Sequence, residues 1–362
     1  MAEPAEPTET AEPAPGTDPS PRRGPVRLAE VAAAAGVSLA TASRVLNGSH
    51  RSVGEPHRGR VLAAAAELGY RANPHAQAIA RGASNIVGLV VHDISDPYFS
   101  AIADGVMRQC EQRGLVVVMA STRRDPEREL DYVATLRAQR ARAVIIVGSR
   151  TRSRDLTARL AKELAGFSES GGRVACISQN RLGTHTVLVQ NRAGARELAR
   201  ELARLGHRRL AVLTGPPELL TARDRHAGFV EGLRDSGLPD EAVRAVPGPF
   251  TRDGGYAAAT ELVTAGLDVT CVFAVNDVMA VGAMAAFRDH GLAIPQDVSV
   301  AGFDDIRTLR DLVPSLTTVG LPLEEMGERA AALALDTEPG ERPRTVRVRG
   351  EVVLRDSTSR VR

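Results

Sequence analysis

The chain has 362 residues, 25% charged and 43% hydrophobic, with a net charge of +2. At about 100–200 residues per domain, that length suits two or three folded domains. The apolar runs at 86–91 and 143–148 reach only about a third of the roughly 20 residues needed to span a bilayer. The N-terminus has no basic stretch followed by an apolar segment, so a cytoplasmic protein without membrane contact is expected. Cys110, Cys176 and Cys271 lie far apart with no Cys-x-x-Cys spacing. Reduced, buried thiols are expected, with neither a disulfide framework nor a zinc ribbon.

Charge is distributed unevenly. Residues 1–20 carry five acids and no base, whereas residues 21–83 carry nine arginines against three glutamates, a net of +6. Such a segment on a near-neutral body points to a polyanion partner for that segment alone, although a solvated basic face has the same composition.

In chain order, residues 1–24 are Pro, Glu, Ala and Thr with almost no large apolar side chain, which predicts a disordered tail. A three-helix domain follows over 25–72. Leu28, Val31, Ala32 and Ala35 form one apolar stripe that stops at Gly36, a natural residue for a helix C-terminus. Ser38 is positioned to cap a second helix, 39–46, with Leu39, Ala42, Val45 and Leu46 supplying apolar contacts. A third helix is expected from Glu55 to Leu68, with Val61, Leu62, Ala65 and Leu68 inward and Gly69 ending it. Two short helices joined by Ala-Gly-Val-Ser, then a third, make a helix-turn-helix bundle. Residues 73–83 carry Asn73, Pro74 and Gly82 as helix boundaries. Such a short helix is unstable alone, so this segment is read as a hinge that becomes helical when something holds it.

From Ile86 the pattern alternates strand and helix. Strands are expected at 86–91, 115–119, 143–147, 173–177, 187–189, 209–213, 269–275 and 297–301. Helices are expected at 97–113, 126–140, 191–205, 222–236, 254–265 and 277–290. Strands apolar throughout and separated by helices imply doubly wound parallel sheets covered on both faces. About 275 residues is long for one domain, so two α/β lobes are expected within 84–362. Lobe one is placed at about 84–185 plus 320–340, lobe two at about 186–316 plus 345–356. Ligands in such sheets bind beyond the carboxyl ends of the strands, which singles out 92–99, 214–225, 274–277 and 302–305.

A helix-turn-helix places its second helix in the major groove of DNA. With residues 42, 45 and 46 inward, Ala40, Thr41, Arg44 and Asn47 face outward. Arg44 suits guanine, and the small side chains allow close approach. A three-helix structural module would show the same periodicity without that charge.

The run Leu28-Ala29-Glu30-Val31-Ala32, followed by Ala35-Gly36-Val37-Ser38-Leu39-Ala40-Thr41-Ala42-Ser43-Arg44-Val45-Leu46-Asn47-Gly48, closely resembles the start of the lactose-repressor (LacI/GalR) family of transcription regulators. Similar stretches continue at Asp93–Phe99, Asn191–Ala195, Leu205–Arg209, Ala222–Phe229, Val275–Asp277, Asp297–Asp305 and Pro314–Val319, covering nearly all of 26–362. The resemblance implies a homodimer with paired helix-turn-helix heads, hinge helices and effector-binding cores of periplasmic-binding-protein type. It further implies that Leu39, Ala40 and Arg44 read bases of an operator, and that Thr41, Ser43 and Asn47 hold phosphates. Ile79 stands where the family has a hinge leucine wedged into the minor groove. For the effector cleft it implies Asp96, Tyr98, Phe99, Arg225, Phe250, Asn276 and Asp304. Arg225, with five donors in a fixed fork, suits vicinal hydroxyls or carboxylates. Locally, other readings stay open: surface salt bridges for Arg223 or Arg225, turn caps for Asp304 or Asp305, core packing for Phe99 and Phe250.

Three departures stand out. Ala72 replaces a usual proline; Ser178-Gln179 stands where an aspartate is frequent; Gln190-Asn191 replaces an Asp-Asn pair. The last two remove negative charge, pointing to a ligand less hydroxyl-rich or more anionic than a neutral sugar. The chain carries no metal-binding His spacing, Walker loop or nucleophile elbow, so neither catalysis nor a metal or organic cofactor is expected. A sequence-specific DNA-binding regulator, acting as repressor and controlled by a sugar or related metabolite, is the expected function. A solute-binding protein of the same core fold is the alternative. The chain ends without a heptad segment, which disfavours a tetramer.

Overall fold

The structure of the chain, a computed structural model, describes residues 26–47, 53–70, 84–338 and 340–361. The tail expected over 1–24 and the hinge expected over 73–83, with Ile79, lie outside the described residues. The chain divides into two units, Met1–Gln77 and Ala78–Arg362.

The described part of the first unit is three helices, α1 (Leu28–Ala34), α2 (Leu39–Asn47) and α3 (Glu55–Glu67). Gly36 takes φ +62°, and Val37 N–H returns to the Ala32 carbonyl at 3.0 Å. A left-handed residue satisfies the last carbonyls of α1 and turns the chain into α2. Ser38 caps α2 as expected, its Oγ accepting the Thr41 amide at 3.1 Å. Val31, Ala32, Ala35, Ala42, Val61, Ala64 and Ala65 form the core. Two expected core residues differ. Leu39 is 54% exposed and Leu62 47% exposed. Leu62 adjoins Val61, which is fully buried and already fills the narrow apolar stripe, and Leu39 is the first residue of α2, ahead of Ala42, the residue that reaches the core.

The second unit contains two parallel sheets. The first has the order β11-β5-β4-β3-β1-β2, built from β1 (Ile86–Val91), β2 (Val116–Ser121), β3 (Ala143–Val147), β4 (Arg173–Ile177), β5 (His185–Val189) and β11 (Thr345–Val348). Its helices are α4 (Pro97–Glu111), α5 (Pro126–Ala138), α6 (Arg154–Glu169) and α11 (Leu323–Leu335). Burial alternates with the strand period of two. Val87, Leu89, Val91, Ala143, Ile145 and Val147 face one cluster, while Val90, Val144 and Ile146 face the other with Leu136, Leu164 and Phe167. Both faces are covered, which is why these strands are apolar throughout.

On one face α4 and α11 approach so closely that a Cβ on Gly105 would lie 1.9 Å from the Glu324 carbonyl oxygen. A Cβ on Gly327 would lie 2.1 Å from that of Ile102. Glycine at both positions is what lets the two backbones touch.

The second sheet, β7-β6-β8-β9, comprises β6 (Leu210–Leu213), β7 (Val243–Val246), β8 (Cys271–Ala274) and β9 (Ser299–Ala301). It carries α7 (Asn191–Arg204), α8 (Leu220–Asp235), α9 (Arg252–Thr264) and α10 (Asp277–Asp289). A two-stranded antiparallel pair, β10 (Thr318–Gly320) with β12 (Glu351–Val353), completes the unit. The lobe boundaries need correcting in two places. His185–Val187 of β5 pairs with β4, and Thr186–Val189 pairs with β11 on its other edge, so all of β5 and 345–348 belong to the first lobe. Residues 345–348 follow α11, which packs on that sheet, and the open edge of β5 is there to receive a parallel strand. The helix α6 is capped by Ser153, whose Oγ accepts the Leu156 amide at 3.2 Å. With α11 and β7, it is absent from the expected elements.

Candidate functional site

Asp96 is the N-cap of α4, its Oδ1 accepting the Tyr98 amide at 3.0 Å. Asn276 caps α10 in the same way, accepting from Met279 at 3.0 Å. The two caps therefore sit where β1 and β8 run out, and other strand ends converge there too. One cleft, enclosing about 600 Å³ of space partly open to solvent, is lined by residues that follow β1, β2, β3, β4, β6, β7, β8 and β9. Asp96, Tyr98, Phe99, Arg225, Phe250, Asn276 and Asp304 all line it, from five separate chain segments. Its lining mixes a few convergent polar groups with aromatic faces, as small-molecule sites do.

Arg225 is buried at 3% exposure. Its Nε donates to Asn191 Oδ1 at 2.8 Å, one terminal nitrogen to the Val275 carbonyl at 2.7 Å, and the other to Asp304 Oδ1 at 2.7 Å. The guanidinium also lies over the Phe303 ring, 3.8 Å from its centroid, a stacking that a lysine lacks. The salt-bridge and ligand readings of Arg225 thus coincide in one residue, whereas Arg223 is a surface residue whose ion pair is with Asp224. Asp304 takes φ +122° and Asp305 φ +56°, strained for residues with a Cβ. Asp304 N–H to Val319 O (2.9 Å) and Leu321 N–H to Asp304 O (3.2 Å) hold the bend. Such strain concentrates at binding sites. Phe99 is both core and cleft wall.

Burial decides the ionisation here. It raises Asp304 to about 6, with Arg225 opposing, and raises Asp96 as well. It lowers His92 to about 4, assisted by the Arg150 charge, so His92 is a neutral ring in the cleft wall. Behind the cleft, Asp277 is fully buried. It accepts from the Thr318 hydroxyl at 2.7 Å and the Ile306 amide at 3.0 Å, and burial pushes it up to about 8, with Asp304 adding to the rise. A carboxyl raised in the folded state stabilises the fold fully below its ordinary value of 3.8, and that contribution is lost as pH rises through about 8. Asp277→Asn keeps an acceptor for Ile306 and cannot ionise. Its melting temperature should therefore vary less with pH between 5 and 8.5 than the parent's, and parallel melting curves across that range would disprove the assignment.

The strand-end segments 92–99 and 214–225 contain His92 and Thr221 without giving either a role, and sequence reasoning did not single out Arg124, Glu129, Ser149 or Arg150. Arg150 and Glu129 form a buried ion pair through two 2.7 Å hydrogen bonds. Ser178 and Gln179, where an aspartate is frequent in the family, line the cleft but are engaged within the protein. Ser178 accepts from Arg150 Nε at 3.2 Å and donates to the Gly148 carbonyl at 2.6 Å. The negative charge missing from this corner is supplied by Glu129, and Arg150 neutralises it.

On the second helix of the head, Leu39, Ala40 and Arg44 are exposed, and Thr41 and Ser43 are half-buried. The Thr41 hydroxyl pairs with Ser38 Oγ at 2.8 Å. The Asn47 side chain and Ile79 are outside the described residues. Among the described residues no group of His, Cys, Asp or Glu is arranged to hold a metal ion. No single described helix is long and apolar enough to cross a membrane. The three cysteines are buried and free.

A helix-turn-helix unit joined to a two-lobed α/β unit, with a polar cleft at its strand ends, defines an effector-responsive DNA-binding regulator. Residues 27–73 match the bacterial regulatory proteins of the lacI family, and residues 199–358 match a periplasmic binding protein-like domain. The chain is 36% identical over 317 residues to the HTH-type transcriptional regulator GalS of Salmonella typhimurium, covering 87% of this chain and 91% of GalS. The lac repressor dimer bound to operator and an anti-inducer is 26% identical, with a TM-score of 0.78 over 93% of this chain and 100% of that one. A LacI family regulator from Enterococcus faecium with bound ribose has a TM-score of 0.68 at 26% identity, over 76% of this chain and 100% of that one. The chain belongs to the LacI family of helix-turn-helix transcriptional regulators and carries that family's effector-binding core. A solute-binding protein of the same core fold leaves the helix-turn-helix match at 27–73 without a purpose.

Proposed function

We propose that the chain acts in the cytoplasm as a homodimeric repressor, released from or held on its operator by a small hydroxyl-bearing molecule, a sugar or related metabolite. The observation that carries the effector half is the convergence of seven expected residues from both lobes on one cleft. Asp96, Asn276, Asp304 and Arg225 offer hydroxyl-binding groups, and Tyr98, Phe99 and Phe250 offer apolar faces for ring C–H surfaces. Relatives with ribose or cellobiose bound support the sugar class. Leu39, Ala40 and Arg44 read bases; Thr41, Ser43 and Asn47 hold phosphates; and Ile79 wedges into the minor groove.

A second copy is supported by β2, an edge strand of its sheet. It exposes Val116 (54%) and Val118 (43%), and Met107 on α4 is also exposed (43%). An uncovered apolar edge is an aggregation hazard unless another chain shields it.

The test is a gel shift with DNA from upstream of the protein's own gene, repeated across salt concentrations. With +6 in residues 21–83 of each protomer, specific binding should weaken steeply with salt, by about 0.9 log units per log of salt for each phosphate neutralised. A ribose-led panel of monosaccharides should change the shift. The absence of any specific shift, with or without sugars, would reject the reading.

A further inference from the structure

Five residues that leave β3, Gly148 to Arg152, run alongside the segment that enters α8 in the other lobe. Leu220 N–H donates to the Arg150 carbonyl at 2.9 Å, and Arg152 N–H donates to the Glu218 carbonyl at 3.0 Å. Between these bonds Thr151 and Leu219 face each other as an antiparallel bridge. Side chains reinforce it. Thr221 N–H donates to Ser149 Oγ at 3.0 Å, and Gln179 Nε2 donates to Thr221 Oγ1 at 3.0 Å. Gln179 Oε1 in turn accepts the Arg150 amide at 2.8 Å. Arg150 is thus the hub. Its guanidinium is locked in the first lobe by Glu129, with side-chain exposures of 6% and 7%, while its backbone carbonyl bonds the second lobe.

We propose that residues 149–152 and 218–221, with Gln179, form a latch that holds the two lobes in one of two arrangements, and that Arg150 is the positioning residue that presents it. The inference rests on the effector reading above and specifies its regulation. Backbone bonds between lobes can be made only in one relative placement, because a shift of a few ångströms breaks both together. A buried ion pair adds little net stability but fixes geometry, which is what a carbonyl offered to a moving partner requires. Ser149, Gln179, Leu219 and Thr221 also line the cleft. A bound hydroxyl at this corner therefore exchanges with latch bonds, so occupancy and lobe placement are coupled through the same atoms. An effector needs such differential contact to shift an equilibrium.

The bridge geometry provides the test. Thr151 and Leu219 are a non-hydrogen-bonded antiparallel pair, for which Cα atoms stand about 4.5 Å apart, within the roughly 4.4–6.8 Å that a disulfide spans. The full-length Thr151→Cys/Leu219→Cys protein is oxidised with oxidised glutathione, which takes up the two electrons and two protons released as the S–S bond forms. The native cysteines are buried. The staple should close without any ligand, and the oxidised protein should differ from its reduced form at least threefold in operator affinity, reversibly with dithiothreitol. Independently, Gln179→Ala/Thr221→Val should speed amide exchange at Arg152 and Leu220 about tenfold in the protein free of DNA. A staple that does not close, operator affinities that agree within twofold, or unchanged exchange in the double variant would each overturn the latch. Loss of operator binding by the parent protein would instead count against the regulator reading, and the exchange measurement would still decide the latch.

Discussion

Arg225→Ala should lower stability by about 3–5 kcal/mol, the usual result of removing one partner from a buried ion pair, and should abolish the response to effector. The loss strands three acceptors at once, Asn191 Oδ1, the Val275 carbonyl and Asp304 Oδ1, all on buried residues. The pH dependence has a definite sign. Asp304 is already raised to about 6; its neutral form is favoured in the fold below that value, and the cost of an unpaired carboxylate appears as pH rises through it. The variant's deficit should therefore be larger at pH 8 than at pH 5. Urea unfolding followed by circular dichroism measures it, since the chain has no tryptophan. Arg225→Met/Asp304→Leu removes both charges and should recover most of the stability without recovering the effector response, which separates the structural role from the binding role. A single variant within about 1 kcal/mol of the parent at pH 8 would mean that the pair does not carry the structural role, and an unchanged effector response would remove the binding role.

Arg44→Ala should weaken operator binding by about 1–3 kcal/mol per contact, five- to more than a hundredfold, and relax discrimination at one base pair in each half-site. Arg44 is exposed in the last turn of α2, where its fork is available to a guanine edge. Competition against operators altered at single positions distinguishes the two kinds of contact. Uniform weakening across all of them would make Arg44 a phosphate contact, with specificity left to Leu39 and Ala40. Leu39 is the informative second residue. Its 54% exposure contradicts a core role and leaves a large apolar side chain free at the start of the same helix, for which a thymine methyl group is a natural partner.

The strands were legible because a strand buried on both faces must be apolar throughout: 86–91, 143–147 and 173–177 coincide with β1, β3 and β4. Edge strands were harder. Val243–Val246 is half-buried and carries only part of that signal. The helix at 154–169 carries a readable stripe in Leu160, Leu164 and Phe167 and a serine cap, but its stripe is interrupted by charged residues and stands out less than the flanking segments. The seven cleft residues came from resemblance, supported by the rule that ligands sit beyond strand carboxyl ends; no local property of Phe250 or Asn276 marks it as a cleft residue.

By itself, then, the sequence determined what periodicity and local chemistry control: three helices with a glycine turn and a serine cap, two parallel sheets, and the strand ends at which a ligand is received. Tertiary structure alone decided which distant residues share a hydrogen bond. Glu129 and Arg150 are separated by 21 positions and Arg225 and Asp304 by 79, and an acid or a base on a helix or loop reads as surface until its partner is seen. The placement of 345–348 in the first sheet was equally hidden, because a short strand has the same pattern beside either sheet. Its partner is chosen by where α11 delivers the chain and which edge is open there, and both are properties of the packed fold.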